Sequence, residues 1–246
     1  MRRCAALWRL TRATLHVVHG MAIMALRWPR LDPAGRRQRI AWWSAGLLRA
    51  LGVGLQVRGG SAPPVALVVA NHVSWLDIAA IHAVLPQSRF VSKAEVLQWP
   101  LLGWLIRGAG TLFIVREQRR DAIRVLRAMQ AALAAGDTVA VFPEGTTGTG
   151  PKLLPFHANL LQSAVLAAVP IQPVALRFSD AESRFSAAAR FVGDTTLTRS
   201  LWQVAAARGL RVQVELLQAV DPHGVDRRQL ALRLQQSIQD RLLADD

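Results

Sequence analysis

The sequence predicts an α/β fold in which a single mixed sheet is flanked by helices and preceded by N-terminal amphipathic helices. Three observations carry this. From about residue 53 onward, short apolar runs alternate with longer helical patterns, as in a chain that lays down strand and helix in turn. Apolar residues make up 52% of the 246 residues against 19% charged, which is enough to build a core and far more than a disordered chain carries. Residues 1–52 keep a different rhythm, helical and punctuated by arginine, and this sets them apart from a domain over 53–246.

Taken in order, the chain opens Met-Arg-Arg and turns apolar, but Arg9 and Arg12 interrupt what would be a signal peptide's hydrophobic region, so no cleavable signal is expected. The uncharged run Ala13 to Leu26 is 14 residues, short of the ~20 needed to cross a bilayer. Arg2, Arg9, Arg12, His16 and His19 fall at helical spacing as one polar stripe, with Leu7, Leu15, Val18 and Ala22 elsewhere. That is the pattern of a basic helix lying on a membrane surface. The alternative is that it packs on the domain. A turn over Trp28 to Pro33 leads to a second helix from near Arg36, with Ile40, Trp43, Leu47 and Leu51 on one face. Candidate strands are Val53 to Val57, Val65 to Ala70, Arg89 to Ser92, Thr111 to Val115, Thr138 to Phe142, Ile171 to Arg177 and Leu210 to Leu217. The clearest helix is Arg119 to Ala135, stopped by Gly136. Prolines 155, 170 and 173 break the uncharged stretch Leu153 to Leu176 into a buried helix and a strand. Leu230, Leu234, Ile238 and Leu242 mark a last core-facing helix.

The formal charge of +14 favours an anionic partner. Lysine occurs only at Lys93 and Lys152, so arginine supplies 28 of the 30 basic side chains. These arginines form no tight run with interleaved aromatics, and the apolar N-terminal helices suit lipid better than nucleic acid. The lone Cys4 forms no intramolecular disulfide, which fits a reducing compartment.

Two segments carry chemistry. The strand ending at Ala70 gives way to Asn71-His72-Val73-Ser74-Trp75-Leu76-Asp77 and an apolar helix. With a helix starting near Ser74, Asp77 sits in its first turn and can hold the His72 imidazole as a general base. The competing reading makes Ser74 and Asp77 an ordinary capping box with His72 merely nearby. The second segment, Phe142-Pro143-Glu144-Gly145-Thr146-Thr147-Gly148, is again a strand running into a glycine-rich loop, with Glu144 the only charge between Asp137 and Lys152. The remaining histidines are scattered and no ligand cluster has metal-binding spacing.

Asn71-His72-x-Ser74-x-x-Asp77, Phe142-Pro143-Glu144-Gly145-Thr146 and Val169-Pro170-Ile171-Gln172-Pro173-Val174 stand in the order of the glycerolipid acyltransferase motifs. Ser92-Lys93-x-Glu95 and Phe113-Ile114-Val115-Arg116 resemble the remaining one. The resemblance spans roughly residues 65 to 176. It implies an acyltransferase domain with His72 as catalytic base and Asp77 as its orienter. Substrate-binding roles would fall to Asn71, Ser74, Lys93, Arg116, Glu144, Gly145, Thr146 and Pro170, the last shaping the pocket. It also implies a lysolipid acceptor, an acyl-carrier protein or acyl-CoA thioester as co-substrate with no cofactor, and a peripheral or monotopic place on the cytoplasmic face of the bacterial inner membrane. One departure stands out. Where the family carries Arg-Ser after Glu-Gly-Thr, this chain has Thr147-Gly148, a pattern that also resembles the lyso-ornithine lipid acyltransferases. The expected acceptor is 1-acylglycerol-3-phosphate, with lyso-ornithine lipid as the alternative. With no cysteine near the motifs and Ser74 placed as a cap, direct transfer is expected over an acyl-enzyme. A hydrolase using the same pair on water, and a basic membrane- or nucleic-acid-binding protein without catalysis, are the readings of other classes.

Overall fold

The computed structural model describes residues 2–93, 108, 111–114 and 119–244. Its centre is one seven-stranded sheet in the order β1-β7-β6-β2-β5-β3-β4, made by β1 (Gly54–Gly59), β2 (Leu67–Ala70), β3 (Ser88–Lys93), β4 (Leu112–Ile114), β5 (Thr138–Val141), β6 (Ile171–Ser179) and β7 (Arg211–Leu216). All neighbours run parallel except β6 and β7, so the sheet is mixed. Each strand falls on an expected apolar run with ends moved by one or two residues, the scatter usual at element boundaries.

Helices cover both faces, and the central strands β2 and β5 are buried at every position because both of their faces are covered, whereas the edge strand β1 is mostly exposed. Along β2 the pleat sends Val68 and Ala70 to one core and Leu67 and Val69 to the other. The first core meets α2 (Pro33–Ala50) through Leu48, α3 (Leu76–Val84) through Leu76 and Ile81, and α6 (Leu197–Ala206) through Val204. The second meets α4 (Arg119–Ala134) through Met129 and Leu133, α5 (Ala158–Ala167) through Leu161, and α7 (Arg227–Leu243) through Leu230, Leu234, Ile238 and Leu242. Gly136, at φ +89, ends α4. Its N–H bonds the Leu133 carbonyl and the next N–H bonds that of Ala132, an arrangement that needs a left-handed residue.

The N-terminal segment is helical as expected, with α1 over Arg2–Leu26 and α2 capped by the Asp32 carboxylate, which accepts from Gly35 N–H at 2.8 Å. Part of the polar stripe faces protein. Arg9 donates to the carbonyls of Ala205 and Ala207 at the end of α6, and His16 Nε2 bonds the Trp43 carbonyl of α2. The exposed residues of α1 include large apolar ones, Trp8 63%, Leu15 64% and Val18 58% accessible, beside Arg12 and His19. Periodicity locates a polar stripe but not which side of a helix meets the domain, and here carbonyls at the end of α6 draw Arg9 inward while a carbonyl of α2 engages His16. Among the described residues, no helix is long and apolar enough to cross a membrane.

Candidate active site

Because β2, β5, β3 and β4 are parallel, their carboxyl ends share one edge of the sheet, the place where α/β folds assemble sites. His72 follows the end of β2, and the Glu144 loop follows β5 next to it.

His72 Nδ1 lies 2.7 Å from Asp77 Oδ2. A carboxylate only accepts, so Nδ1 carries the proton and Nε2 presents its lone pair. Among the described residues Nε2 has no hydrogen-bond partner, and the imidazole is 19% accessible while Asp77 is fully buried. The same Oδ2 accepts from Val73 N–H at 2.7 Å and Ser74 N–H at 2.9 Å, and Ser74 Oγ accepts from Leu76 N–H at 3.3 Å. Trp75 is already at helical angles. The capping box and the His-Asp pair are therefore one structure, with Asp77 fixed by the helix start and in turn fixing the imidazole.

The backbone of His72 is pinned on both sides. Its N–H donates to Glu144 Oε1 at 2.7 Å and its carbonyl accepts from Gly148 N–H at 2.7 Å. Glu144 Oε2 accepts from Leu154 N–H at 2.8 Å, so this buried carboxylate bridges the His72 strand end to the chain beyond its own loop. Burial pushes the Glu144 carboxyl above its ordinary value, against the pull of the N–H groups of Leu154 and His72. Pro143 and Gly145 close the turn that delivers it: Gly145 N–H bonds the Phe142 carbonyl and Gly145 stands at φ +72, open to glycine at little cost. Under the His72 imidazole lies an aromatic floor. The Phe142 ring stacks on the imidazole at 4.0 Å between centroids and 8° between planes, and Phe90 stacks on Phe142 at 5.6 Å.

The other expected site residues separate. Asn71 is buried, with Nδ2 donating to the Leu176 carbonyl and Oδ1 accepting from the Leu176 N–H, so both ends of its amide continue the pairing of β2 with β6. Ser74 is buried as a cap, whereas Gly145 and Thr146 are exposed in the loop. Thr147 donates its hydroxyl to the Phe191 carbonyl. Lys93 closes β3 on the same sheet edge, and Arg116 lies outside the described residues. Pro170 is not brought to the site. It precedes the start of β6, where Ile171 pairs with Leu67 at the amino end of β2, about three residues or ~10 Å of strand from Ala70. A proline two residues before Gln172 resembles a pocket residue in sequence, but the parallel register puts it at the opposite end. Phe142 as a floor and Leu154 as an anchor went unread in the sequence. The only signal for Phe142 was its place between a strand and Pro143. Among the described residues no three His, Cys, Asp or Glu side chains converge as metal ligands.

Residues 55–177 match the family model described as Acyltransferase. The chain is 38% identical over 244 residues to the lyso-ornithine lipid O-acyltransferase of Pseudomonas aeruginosa, covering 97% of this chain and 93% of that one. It is 39% identical over 218 residues to the 1-acyl-sn-glycerol-3-phosphate acyltransferase of Neisseria meningitidis serogroup B, covering 87% and 84%. The crystal structure of the 1-acyl-sn-glycerophosphate (LPA) acyltransferase PlsC from Thermotoga maritima superposes with a TM-score of 0.75 at 24% identity, over 98% of this chain and 96% of that one.

Proposed function

The chain belongs to the acyltransferase family, and on that premise we propose that it transfers a fatty acyl group from a thioester carrier to the free hydroxyl of a lysolipid, 1-acylglycerol-3-phosphate in the first place. The observation that carries this is the His72–Asp77 pair, with Nδ1 held at 2.7 Å and Nε2 unpartnered among the described residues. His72 Nε2 takes the hydroxyl proton as the oxygen attacks the thioester carbonyl. Asp77 stabilises the imidazolium. The tetrahedral intermediate then expels the thiolate, which leaves with the proton from Nε2, so that ester and thiol form and His72 returns neutral. Such a base contributes about a hundred- to ten-thousandfold. In this scheme Asn71, Ser74 and Glu144 act through the position of His72, Lys93 and Arg116 supply positive charge for the acceptor or donor, and the donor is an acyl-carrier protein or acyl-CoA with no cofactor.

Lyso-ornithine lipid as acceptor is a second reading, favoured by Thr147 standing where a phosphate-associated arginine is expected, and by the Pseudomonas relative. Arg116 and the Neisseria relative favour the phosphorylated acceptor. Purified enzyme given a labelled acyl thioester and both lysolipids decides it. A higher kcat/KM for lysophosphatidic acid supports the first reading, and the reverse order replaces it with the second. Thioester cleavage at equal rate without any lysolipid would instead make the protein a hydrolase. The exposed apolar residues of α1 support a peripheral or monotopic seat on the cytoplasmic face of the bacterial inner membrane.

A further inference from the structure

Between α1 and α2 lies a cleft of about 430 Å³ whose lining includes Arg12, Leu15, His16, His19, Trp42 and Arg49. Two guanidinium groups and two imidazoles line it, and among the described residues no carboxylate does. Arg9, one turn earlier, is spent on the carbonyls of Ala205 and Ala207. Arg12 and Arg49 have no hydrogen-bond or acidic partner among the described residues and are exposed.

The walls are fixed rather than incidental. His16 stacks on Trp43 at 5.8 Å and 21°, tilts against Trp42 at 5.3 Å and bonds the Trp43 carbonyl at 2.8 Å. His19 meets Trp42 edge-on at 5.4 Å. Gly46 makes room for this packing, since a Cβ there would stand 2.4 Å from His16 Cε1. The cleft also has an apolar lip. Leu15 lines it and is among the exposed apolar residues of α1 together with Val18.

We propose that this cleft holds the phosphate of an anionic phospholipid from the bilayer, between Arg12 and Arg49, with the lipid's acyl chains running out over Leu15 and Val18. Guanidinium groups suit phosphate because their forked donors match its oxygens. The lip selects a lipid over a soluble phosphoester, which would gain nothing from Leu15. The proposal rests on α1 being the membrane-facing element, and it concerns residues apart from the sheet edge that carries His72.

The test measures full-length protein on vesicles of phosphatidylcholine alone and of phosphatidylcholine with phosphatidic acid or phosphatidylglycerol. Arg12→Gln/Arg49→Gln is expected to lose roughly a hundredfold in affinity for the anionic vesicles and nothing on neutral ones. Arg27→Gln/Arg37→Gln removes equal charge from exposed positions outside the cleft and is expected to lose at most roughly thirtyfold, what surface attraction alone supplies. Equal losses from the two pairs overturn the cleft. Leu15→Glu/Val18→Glu separates this from the broader reading. If it binds all vesicles as wild type does, the membrane seat of α1 falls and the cleft with it, whereas its release from neutral and anionic vesicles alike upholds the seat whatever the arginine pairs show. Glycerol 3-phosphate is titrated without vesicles as the soluble arm. Micromolar binding that Arg12→Gln/Arg49→Gln abolishes overturns the lipid assignment in favour of a soluble phosphoester, and absence of such binding supports the lipid.

Discussion

Replacing Glu144 by glutamine exchanges one of two carboxylate oxygens for an N–H donor. Both oxygens accept from backbone N–H groups, of His72 at 2.7 Å and Leu154 at 2.8 Å. Glutamine can satisfy only one, and its amide nitrogen then faces the other as donor against donor. The lost charge-assisted bond contributes about 1.5–3 kcal/mol and the stranded donor costs about 1–3 kcal/mol more. Glutamine also escapes the burial that pushes the Glu144 carboxyl upward, so the expected loss is taken at the low end of that range, about 2–3 kcal/mol. Because one of the bonds positions the backbone of His72, the proposed base, the loss is expected to fall on the reacting geometry. It corresponds to roughly thirty- to a hundredfold in kcat at about 1.4 kcal/mol per decade. Steady-state kinetics on the lysolipid, with a melting curve to confirm folding, should give that fall in kcat with KM changed by less than about threefold. An unchanged kcat with KM raised tenfold or more would refute the reasoning, and would make Glu144 a ligand of the acceptor as its place in the motif implies.

His72→Ala is expected to lose at least about a hundredfold in kcat with the fold intact, and retention of more than about a tenth of the rate removes it as the base. Asp77→Ala should lose activity and also melt lower, since Oδ2 also receives the Val73 and Ser74 N–H groups; an unchanged melting temperature contradicts the shared cap. His82, buried with Nε2 bonded to the Ser88 carbonyl, is pushed down to about 4 from 6.5 by burial. Its contribution to stability is complete above pH 6.5 and is lost as pH falls through about 4, so denaturant unfolding should cost about 2 kcal/mol less at pH 5 than at pH 7.5 on its account, a difference absent in His82→Gln. Arg116→Ala should raise KM for lysophosphatidic acid by roughly ten- to a hundredfold; an unchanged KM takes Arg116 off the phosphate.

The strands and helices were legible because their signals are local: apolar runs of strand length, the stripe of α7, Gly136 at the end of α4. The His72–Asp77 pair was legible too, since five residues spanning a strand end and a first helical turn fix its reach. What spacing could not convey was direction. Arg9 and His16 of α1 turn toward α6 and α2 while Arg12 stays exposed, and Pro170 sits at the amino end of β6, away from His72, because sidedness and register are settled by partners distant in sequence. Glu144 shows the same limit. A lone carboxylate after a strand reads as a ligand until Leu154 and His72 are seen to occupy both of its oxygens.

β2 is a central strand whose neighbours, β5 and β6, both come later in the chain. His72 is therefore anchored by Glu144, 72 positions downstream, and by Asn71 pairing with Leu176, 105 positions downstream. Contacts so far apart in sequence close slowly, after local helices have formed. During synthesis His72, the proposed general base, thus lacks these two distant anchors until the ribosome has passed β6. An immature chain holds the whole first motif, and can close the local His72–Asp77 contact, while it still lacks the distant partners that fix the His72 backbone in place.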